Sequence, residues 1–212
     1  MIVIGAGGFA KELLEILVSE KYGLNERNLY FFDNINPKTN LFGKFKILKN
    51  YEECSGLIKS HDVHFCYGIG NPYLRKKLGS EFISLGGQCV SVVSSESSIG
   101  SFNTEIGLGT TILGNAQITN NVKIGIGCLI YMNTSITHDV EISDFVEISP
   151  GVTITGNCKI GEFTSIGANA TLLPGVKIGS NCIIGAGSVV TKNVANNCMV
   201  KGVPAKAFKK SG

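Results

Sequence analysis

Residues 106–190 read IGLGTTILGNAQITNNVKIGIGCLIYMNTSITHDVEISDFVEISPGVTITGNCKIGEFTSIGANATLLPGVKIGSNCIIGAGSVV. In this stretch an aliphatic residue recurs at every sixth position without exception. The members of this series are Ile106, Ile112, Ile118, Ile124, Ile130, Ile136, Ile142, Ile148, Ile154, Ile160, Ile166, Leu172, Ile178, Ile184 and Val190. From Ile112 onward, the residue two places earlier is always small or β-branched, as at Thr110, Cys128 and Val152. Two series this regular indicate a six-residue internal repeat, which is typical of a parallel β-helix.

The spacing of the two series has a direct structural meaning. Side chains of a strand alternate between its faces, so two residues that are two places apart point to the same face. Each pair is therefore expected to point into a prism, and the chain turns before the next pair. A period of six does not fit the 3.6-residue turn of an α-helix. Glycine follows many of the aliphatic residues, as at Gly107, Gly125 and Gly161. It is expected there because a tight corner requires positive φ or a close backbone.

The composition limits the function classes. The 212 residues carry a net charge of +3 without a long basic run, which gives little support to nucleic-acid or membrane-surface binding. No stretch approaches the roughly 18 apolar residues of a membrane span, and no signal peptide is evident. Three of the seven cysteines, Cys128, Cys158 and Cys182, occupy inward positions of the repeat, where a free thiol acts as a small hydrophobic group. Free thiols at these positions favour a reducing compartment, so a cytoplasmic location is expected.

The residues before the repeat predict a second, smaller domain. Residues 1–10 predict a short buried strand that enters a glycine-rich turn, and residues 11–19 predict a helix. Residues 29–33 and 65–71 predict two more strands, and residues 74–85 predict a helix. This alternation indicates a small α/β domain with a parallel sheet. We place that domain at residues 1–88, and the β-helix with its C-terminal tail at residues 89–212.

The first turn of this domain, Gly5-x-Gly7-x-x-Ala10, fits the dinucleotide-binding fingerprint in its G/A form. In that motif a strand brings phosphate groups to the N–H donors of a helix N-terminus. A plain tight turn between strand and helix is the alternative. The third predicted strand also ends in a glycine-asparagine turn, so two loops meet at the carboxyl edge of one sheet, where ligands bind in open α/β folds. A phosphate-bearing ligand is therefore expected.

One of the three histidines lies in the repeat. His138 occupies an outward position two residues after Ile136, and an imidazole that titrates near neutrality accepts a proton from an attacking amine or hydroxyl. Asp139 follows it and would hold the ring and stabilise its charged form. Adjacent strand residues point to opposite faces, so this contact requires a corner between Ile136 and Ile142. Glu141 and Asp144 are the alternative partners, and an ordinary exposed histidine is the alternative to a catalytic one.

Several motifs together resemble the bacterial sugar acyltransferases of the sialic-acid O-acetyltransferase type, which include N-acetyltransferases of nucleotide-linked 4-amino-4,6-dideoxy sugars. The motifs are Gly-Ala-Gly-Gly at 5–8, Phe-Asp-Asn at 32–34, Gly-Ile-Gly-Asn at 68–71 with Arg75, the segment around His138, and Gly-Val-Pro-Ala-Lys at 202–206. The resemblance covers nearly the whole chain. It implies a left-handed triangular β-helix, a homotrimer with active sites between neighbouring prisms, and acetyl-CoA as co-substrate. No metal is expected, because the sequence has no CxxC pair. O-acetylation of sialic acid or a related sugar hydroxyl is the alternative reaction.

The resemblance also implies roles for individual residues. His138 would be the general base, with Asp139 behind it. The acetyl-CoA groove would include Gly156, Ala168, Ala186 and the position of Glu147. The nucleotide-sugar site would include Gly7, Gly8, Phe9, Asp33, Asn34, Gly70, Asn71 and Arg75. Two of these depart from the family pattern, because the family commonly has histidine at the positions of Phe9 and Glu147. An anionic Glu147 would repel a developing oxyanion, so its position is not expected to polarise the thioester carbonyl.

Three other functions explain less of the sequence. A nicotinamide-dependent dehydrogenase would account for the glycine turn and Asp33 but not for the repeat. A zinc hydratase on the same prism would need several histidine ligands at each site, and the repeat contains one histidine. A purely structural β-helix would not bind acetyl-CoA.

Overall fold

The computed structural model describes residues 1–19, 21–61 and 63–209. It divides into two compact units, one from Met1 to Val92 and a second from Val93 onward. Its helices are shorter than a membrane-spanning helix needs to be, and none in the described ranges is apolar enough to cross a bilayer.

The first unit is a sheet with three helices. Its elements in chain order are β1 (Ile2–Ile4), α1 (Gly8–Val18), β2 (Tyr30–Phe32), β3 (Asn40–Leu41), β4 (Phe45–Leu48), α2 (Tyr51–His61), β5 (His64–Tyr67), α3 (Pro72–Ser84) and β6 (Gln88–Cys89). The strand order is β3-β4-β2-β1-β5-β6, and every pair except β3–β4 is parallel. The predicted α/β domain is therefore confirmed. The sequence did not predict β3, β4 or α2.

The strand order in the sheet switches sides at β1, because β2 lies on one side of β1 and β5 on the other. The loops that follow β1 and β5 leave the same carboxyl edge, where Gly5 N–H donates to the Phe32 carbonyl at 2.7 Å and Gly68 N–H donates to the Ile4 carbonyl at 2.8 Å. Below this edge, the rings of Phe32 and Phe65 pack on Phe82 with centroids 5.2 and 5.4 Å apart. A rigid aromatic core thus supports the edge at which ligands bind in this class of sheet.

The second unit consists of short parallel strands stacked in three sheets. The first face contains β7 (Val92–Val93), β10 (Thr111–Ile112), β13 (Leu129–Ile130), β16 (Glu147–Ile148), β19 (Ser165–Ile166) and β22 (Ile183–Ile184). The second contains β8 (Ser98–Ile99), β11 (Gln117–Ile118), β14 (Ser135–Ile136), β17 (Thr153–Ile154), β20 (Thr171–Leu172) and β23 (Val189–Val190). The third contains β9 (Glu105–Ile106), β12 (Lys123–Ile124), β15 (Glu141–Ile142), β18 (Lys159–Ile160) and β21 (Lys177–Ile178). A closing hairpin, β24 (Cys198–Lys201) with β25 (Lys206–Lys209), extends the first face.

The repeat sets the register of these sheets. Residues 18 apart pair in successive coils, as Ile118 pairs with Ile136 and Ile136 with Ile154. Every member of the two sequence series from Thr110 to Val190 is buried. Removing each aliphatic side chain from water contributes about 1.5–3 kcal/mol. The predicted left-handed parallel β-helix is confirmed. The second face also shows a one-residue insertion at its start, because Ile99 pairs with Ile118, 19 residues later.

The corners differ from the prediction in one respect. Gly107, Gly125 and Gly161 do not have positive φ; instead, an added Cβ would lie within 2.5 Å of the backbone or side chain of the next coil. Close approach therefore explains these glycines. From Ile106 to Ile184, the left-handed residue stands three places after each inward aliphatic residue and is most often asparagine, as at Asn121 (φ 57°). Asparagine tolerates this conformation better than most residues because its short side chain bonds locally.

Candidate functional site

A pocket of about 710 Å³ opens at the carboxyl edge of the first unit. The loop after β1, the start of α1, the loop after β2 and the loop after β5 form its walls. Of the residues expected to bind a nucleotide sugar, it is lined by Gly7, Gly8, Phe9, Asp33, Asn34 and Gly70. The structure therefore brings together six positions from three separate segments of the sequence. Lys77 and Glu81 of α3 also line the pocket.

The glycines of the first turn have two different roles. Gly5 has φ +108°, and an added Cβ would meet Ile69 Cγ1 at 2.7 Å, so the fold itself requires glycine there. At Gly7 and Gly8, by contrast, an added Cβ would meet nothing within 4 Å, and neither residue has positive φ. No side chain caps α1 at Gly7, and the first turn of any helix leaves N–H groups without intrahelical acceptors. The space in front of Gly7 and Gly8 is thus open toward a helix N-terminus, which attracts anions.

Asp33 organises the pocket wall. Its Oδ2 accepts a hydrogen bond from the Ala6 N–H at 3.2 Å, and its Oδ1 accepts from the N–H groups of Ile35 and Asn36 at 3.1 and 2.9 Å. The carboxylate therefore ties the loop after β1 to the loop after β2. Lys49 supports the same loop, because its Nζ donates to the carbonyl of Asn36 at 2.5 Å. Lys49 was not singled out in the sequence.

Asn71 and Arg75 do not line the pocket. The Asn71 side chain caps α3 by accepting from the Leu74 N–H at 3.1 Å. Arg75 is 1% exposed, and its Nη1 donates to the carbonyls of Ile69 and Gly70. Both residues hold the loop that carries Gly70 rather than facing the pocket. Helix α3 also requires glycine at position 79, because an added Cβ there would overlap the Tyr67 hydroxyl.

The second group of predicted residues lies on the corner that follows β14. His138 Nδ1 is 2.6 Å from Asp139 Oδ2, although the two residues are adjacent in sequence. The contact forms because Asp139 is the left-handed residue of this corner, with φ +61°, so the strand alternation does not apply. The imidazole is 64% exposed and the carboxylate 41% exposed. Of the alternative partners, Glu141 pairs with Lys159 at 2.8 Å and Asp144 accepts from the Ile126 N–H at 2.9 Å.

Two further residues contact this pair. Asn121, one coil earlier, donates from Nδ2 to Asp139 Oδ1. Hydrogen bonds from Asn121 and from His138, together with the positive charge that His138 acquires, hold the pKa of the Asp139 carboxyl below its usual value. Gly156, one coil later, lies under the imidazole: an added Cβ would meet His138 Cε1 at 2.5 Å and Nε2 at 2.8 Å. Asn121 was missed in the sequence, although the 18-residue coil places it next to Asp139.

A search of curated protein sequences found no match. The model of the PglD N-terminal domain matches residues 1–82, and that of the bacterial transferase hexapeptide (six repeats) matches residues 157–192. Among solved structures, WeeI from Acinetobacter baumannii is 30% identical with a TM-score of 0.91, and the alignment covers 98% of both chains. The chain belongs to the hexapeptide-repeat sugar acyltransferases. The resemblance inferred from the sequence is thereby confirmed.

Two other structures share the fold of this acyltransferase. The acetyltransferase domain of PglB from Neisseria gonorrhoeae, in complex with acetyl coenzyme A, is 25% identical with a TM-score of 0.86 over 98% of both chains. A point mutant of perosamine N-acetyltransferase from Caulobacter crescentus, in complex with CoA and GDP-perosamine, is 24% identical. Its TM-score is 0.90, over 99% of this chain and 96% of that one.

The residues predicted for the acetyl-CoA groove lie on two different sides of the prism. Gly156 shares the corner of His138, whereas Ala168 and Ala186 follow strands β19 and β22 of the first face. These two alanines stack in successive coils, since the Gly187 N–H donates to the Ala168 carbonyl at 2.8 Å. Glu147 lies in β16 on the first face, where Ser165 Oγ donates to its Oε2 at 3.4 Å. Within one chain, therefore, Glu147, Ala168 and Ala186 belong to a different side of the prism from His138.

Among the side chains described for residues 1–19, 21–60 and 63–208 of the acyltransferase, no three His, Cys, Asp or Glu residues are grouped to hold a metal ion.

Proposed function

We propose that this protein transfers the acetyl group of acetyl-CoA to the amino group of a nucleotide-linked 4-amino-4,6-dideoxy sugar, for the synthesis of a bacterial surface glycan. The observation that carries the proposal is the His138–Asp139 pair on an exposed corner of a hexapeptide prism, in a chain that also has a pocket beside a helix N-terminus. The first feature supplies a base and the second a place for a phosphate-bearing acceptor.

His138 acts as the general base. With the Nδ1 proton directed at Asp139, the lone pair of Nε2 is left for the proton of the attacking amine. The amine nitrogen then bonds to the thioester carbonyl carbon, the carbon–sulfur bond breaks, and the proton leaves with the sulfur as the CoA thiol. Asp139 stabilises the imidazolium that forms between these steps. Because its pKa is lowered, Asp139 carries its charge throughout the neutral pH range.

The pocket of the first unit holds the nucleotide diphosphate. The open space before Gly7 and Gly8 leads to the N-terminus of α1, where N–H groups and the helix dipole favour phosphate oxygens. Lys77 lines the same pocket and adds positive charge. Asp33, Asn71 and Arg75 position the loops that form the walls. Phe9 takes the place of a histidine that is common in the family, and it is a largely buried apolar residue in the pocket wall.

We also propose that the active form is a trimer with sites between neighbouring prisms. In one chain, His138 and Gly156 lie on one corner while Glu147, Ala168 and Ala186 lie on another side, so a complete acetyl-CoA site requires two chains. Closed symmetric assembly is the usual way to complete such a site. Sedimentation should show a trimer at micromolar concentration, and a stable, fully active monomer would contradict this arrangement.

The proposal is tested by turnover with defined acceptors. Acetyl-CoA is incubated with UDP-, GDP- and dTDP-linked 4-amino-4,6-dideoxyhexoses, with the matching 4-hydroxy sugars and with sialic acid, while release of the CoA thiol is followed. We expect acetylation of one of the amino sugars and none of its hydroxyl analogue. Acetylation of a hydroxyl acceptor in preference to every amine would replace the proposed function with O-acetylation.

A further inference from the structure

We infer that Asn121 is a positioning residue for the catalytic pair: its side-chain amide fixes the Asp139 carboxylate and thereby the tautomer of His138. The inference rests on the proposed function and assigns a task to a residue that does not touch the substrate. Its basis is a row of side chains on one edge of the prism. Asn103, Asn121 and Asp139 occupy the same corner in three successive coils, all with left-handed backbone, φ 53°, 57° and 61°.

The side chains of this row form a directed chain of hydrogen bonds. Asn103 Nδ2 donates to Asn121 Oδ1, and Asn121 Nδ2 donates to Asp139 Oδ1. The direction follows from chemistry, because an ionised carboxylate accepts and never donates. Asn121 must therefore present its N–H group to Asp139. Asn103 reinforces this orientation by occupying the Asn121 oxygen.

Each carboxylate oxygen of Asp139 consequently has its own hydrogen-bond partner. Oδ1 accepts from Asn121, and Oδ2 lies 2.6 Å from His138 Nδ1. A carboxylate held at both oxygens does not rotate freely, so its Oδ2 stays directed at the ring. The imidazole then keeps its proton on Nδ1 and leaves Nε2 unprotonated as the base. Because His138 is exposed to solvent, packing against its neighbours is not enough to fix the orientation of the ring. The hydrogen bonds from Asn103 through Asn121 to Asp139 fix it instead.

The chain offers clean variants to test this role. Asn121→Gly removes the amide and keeps the left-handed backbone, which glycine adopts without strain. Asn121→Asp keeps the shape and replaces the donor by a second carboxylate. Asn181→Gly is the matched control: Asn181 has φ 58° on the corner after β21, away from His138. The thermal midpoint of each variant separates a loss of folding from a loss of positioning.

The first readout needs no substrate. Nitrogen-15 spectra of the imidazoles report which ring nitrogen carries the proton, and with three histidines in the chain the His138 signals are assigned by their loss in His138→Ala. We expect the parent to carry the proton on Nδ1. The Nδ1–H to Nε2–H ratio should fall about two- to five-fold in Asn121→Gly, comparable to losing one ordinary hydrogen bond. It should fall at least as far in Asn121→Asp and stay unchanged in Asn181→Gly. An unchanged ratio in both Asn121 variants would overturn the inference.

The second readout is a double-mutant cycle on turnover. If Asn121 acts through Asp139, Asn121→Gly lowers kcat in the parent by about two- to five-fold but adds nothing in the Asp139→Asn background. The KM for acetyl-CoA should be unchanged throughout. Equal losses in both backgrounds would refute the positioning role while leaving the proposed function intact. A parent spectrum with the proton on Nε2, or full activity of Asp139→Asn, would instead refute the proposed catalytic pair.

Discussion

A single methyl group at position 156 should disable the proposed base from one coil away. In Gly156→Ala, the new Cβ would lie 2.5 Å from His138 Cε1, 2.8 Å from Nε2 and 3.1 Å from Nδ1. Carbon atoms in contact normally lie about 3.5–4.0 Å apart, so the ring must move by roughly 1 Å. A displacement of about 1 Å at a reacting group costs on the order of 10²-fold in rate. We therefore expect kcat to fall about 10- to 100-fold, less if the ring tilts without translating.

The control for this substitution is Gly114→Ala. Gly114 stands two residues after Ile112, as Gly156 stands two residues after Ile154, and neither glycine has positive φ. A Cβ at Gly114 would meet Glu96 Oε2 at 2.6 Å, the end of a flexible side chain that moves aside at little cost. Alanine itself is compatible with this place in the repeat, since Ala168 and Ala186 occupy it.

The assay measures kcat from thiol release and acetyl-CoA affinity by calorimetry. We expect Gly156→Ala to lose turnover while its acetyl-CoA affinity stays within about three-fold of the parent, because the moved group is the base. A kcat within about three-fold of Gly114→Ala would refute the reasoning. A loss confined to acetyl-CoA affinity would also refute it, and would place Gly156 in the acetyl-CoA groove without a role under the imidazole.

Three further predictions follow from the site and the core. Gly7→Ala and Gly8→Ala should leave the thermal midpoint unchanged but weaken nucleotide-sugar binding at least about ten-fold, since the space before them is kept for the ligand; unchanged affinity in calorimetry would contradict this. Gly5→Ala should instead lower the thermal midpoint, because position 5 has φ +108°. Burial raises the pKa of the Cys66 thiol from 9.0 to about 12, so the unfolded chain loses a proton that the folded chain keeps. Stability should be intact below about pH 9 and fall as the pH rises toward about 12, and urea midpoints that stay flat over this range would contradict it.

The repeat made most of the fold predictable because one constraint acts at every coil. Each aliphatic side chain in the series must be buried to close the prism, so the period survives in the sequence and specifies register, face and stacking together. The N-terminal helix α1 and the strands β1, β2 and β5 were predictable for a similar reason, since they carry runs of buried apolar residues such as Leu13, Leu14 and Leu17.

Other elements left a weaker pattern. Helix α2 buries Cys54 and Ile58 but is otherwise largely polar, so it lacks a strong apolar stripe. The sequence also did not reveal which corner position is left-handed. Phe145 and Phe163 occupy that position with φ 55° and 56°, although asparagine or glycine is usual there. Their rings stack with centroids 5.7 Å apart and an interplanar angle of 4°, a contact that offsets part of the backbone strain.

Most of the residues that line the candidate site could be predicted from the sequence, but the residues that support them could not. A histidine followed by an acid stands out in a repeat of aliphatic and small residues, and the glycine turn follows a strand as the motif requires. Asn121 and Gly156 contribute through stacking between coils, which sequence separation hides until the 18-residue register is known. Arg75 was expected at the ligand because of the family resemblance, yet its guanidinium donates to the carbonyls of Ile69 and Gly70 in the loop after β5.

The most direct test of the central claim is the turnover of His138→Ala with acetyl-CoA and the nucleotide-linked amino sugar that the parent acetylates. Because removing a general base costs typically 10²–10⁴-fold in rate, kcat should fall by about that factor while the acetyl-CoA Kd stays within a few-fold of the parent. His138→Asn, which keeps a polar side chain but no base, should lose as much. A His138→Ala variant that retains more than about a tenth of the parent rate would show that the proton goes elsewhere and that this corner is not the catalytic centre.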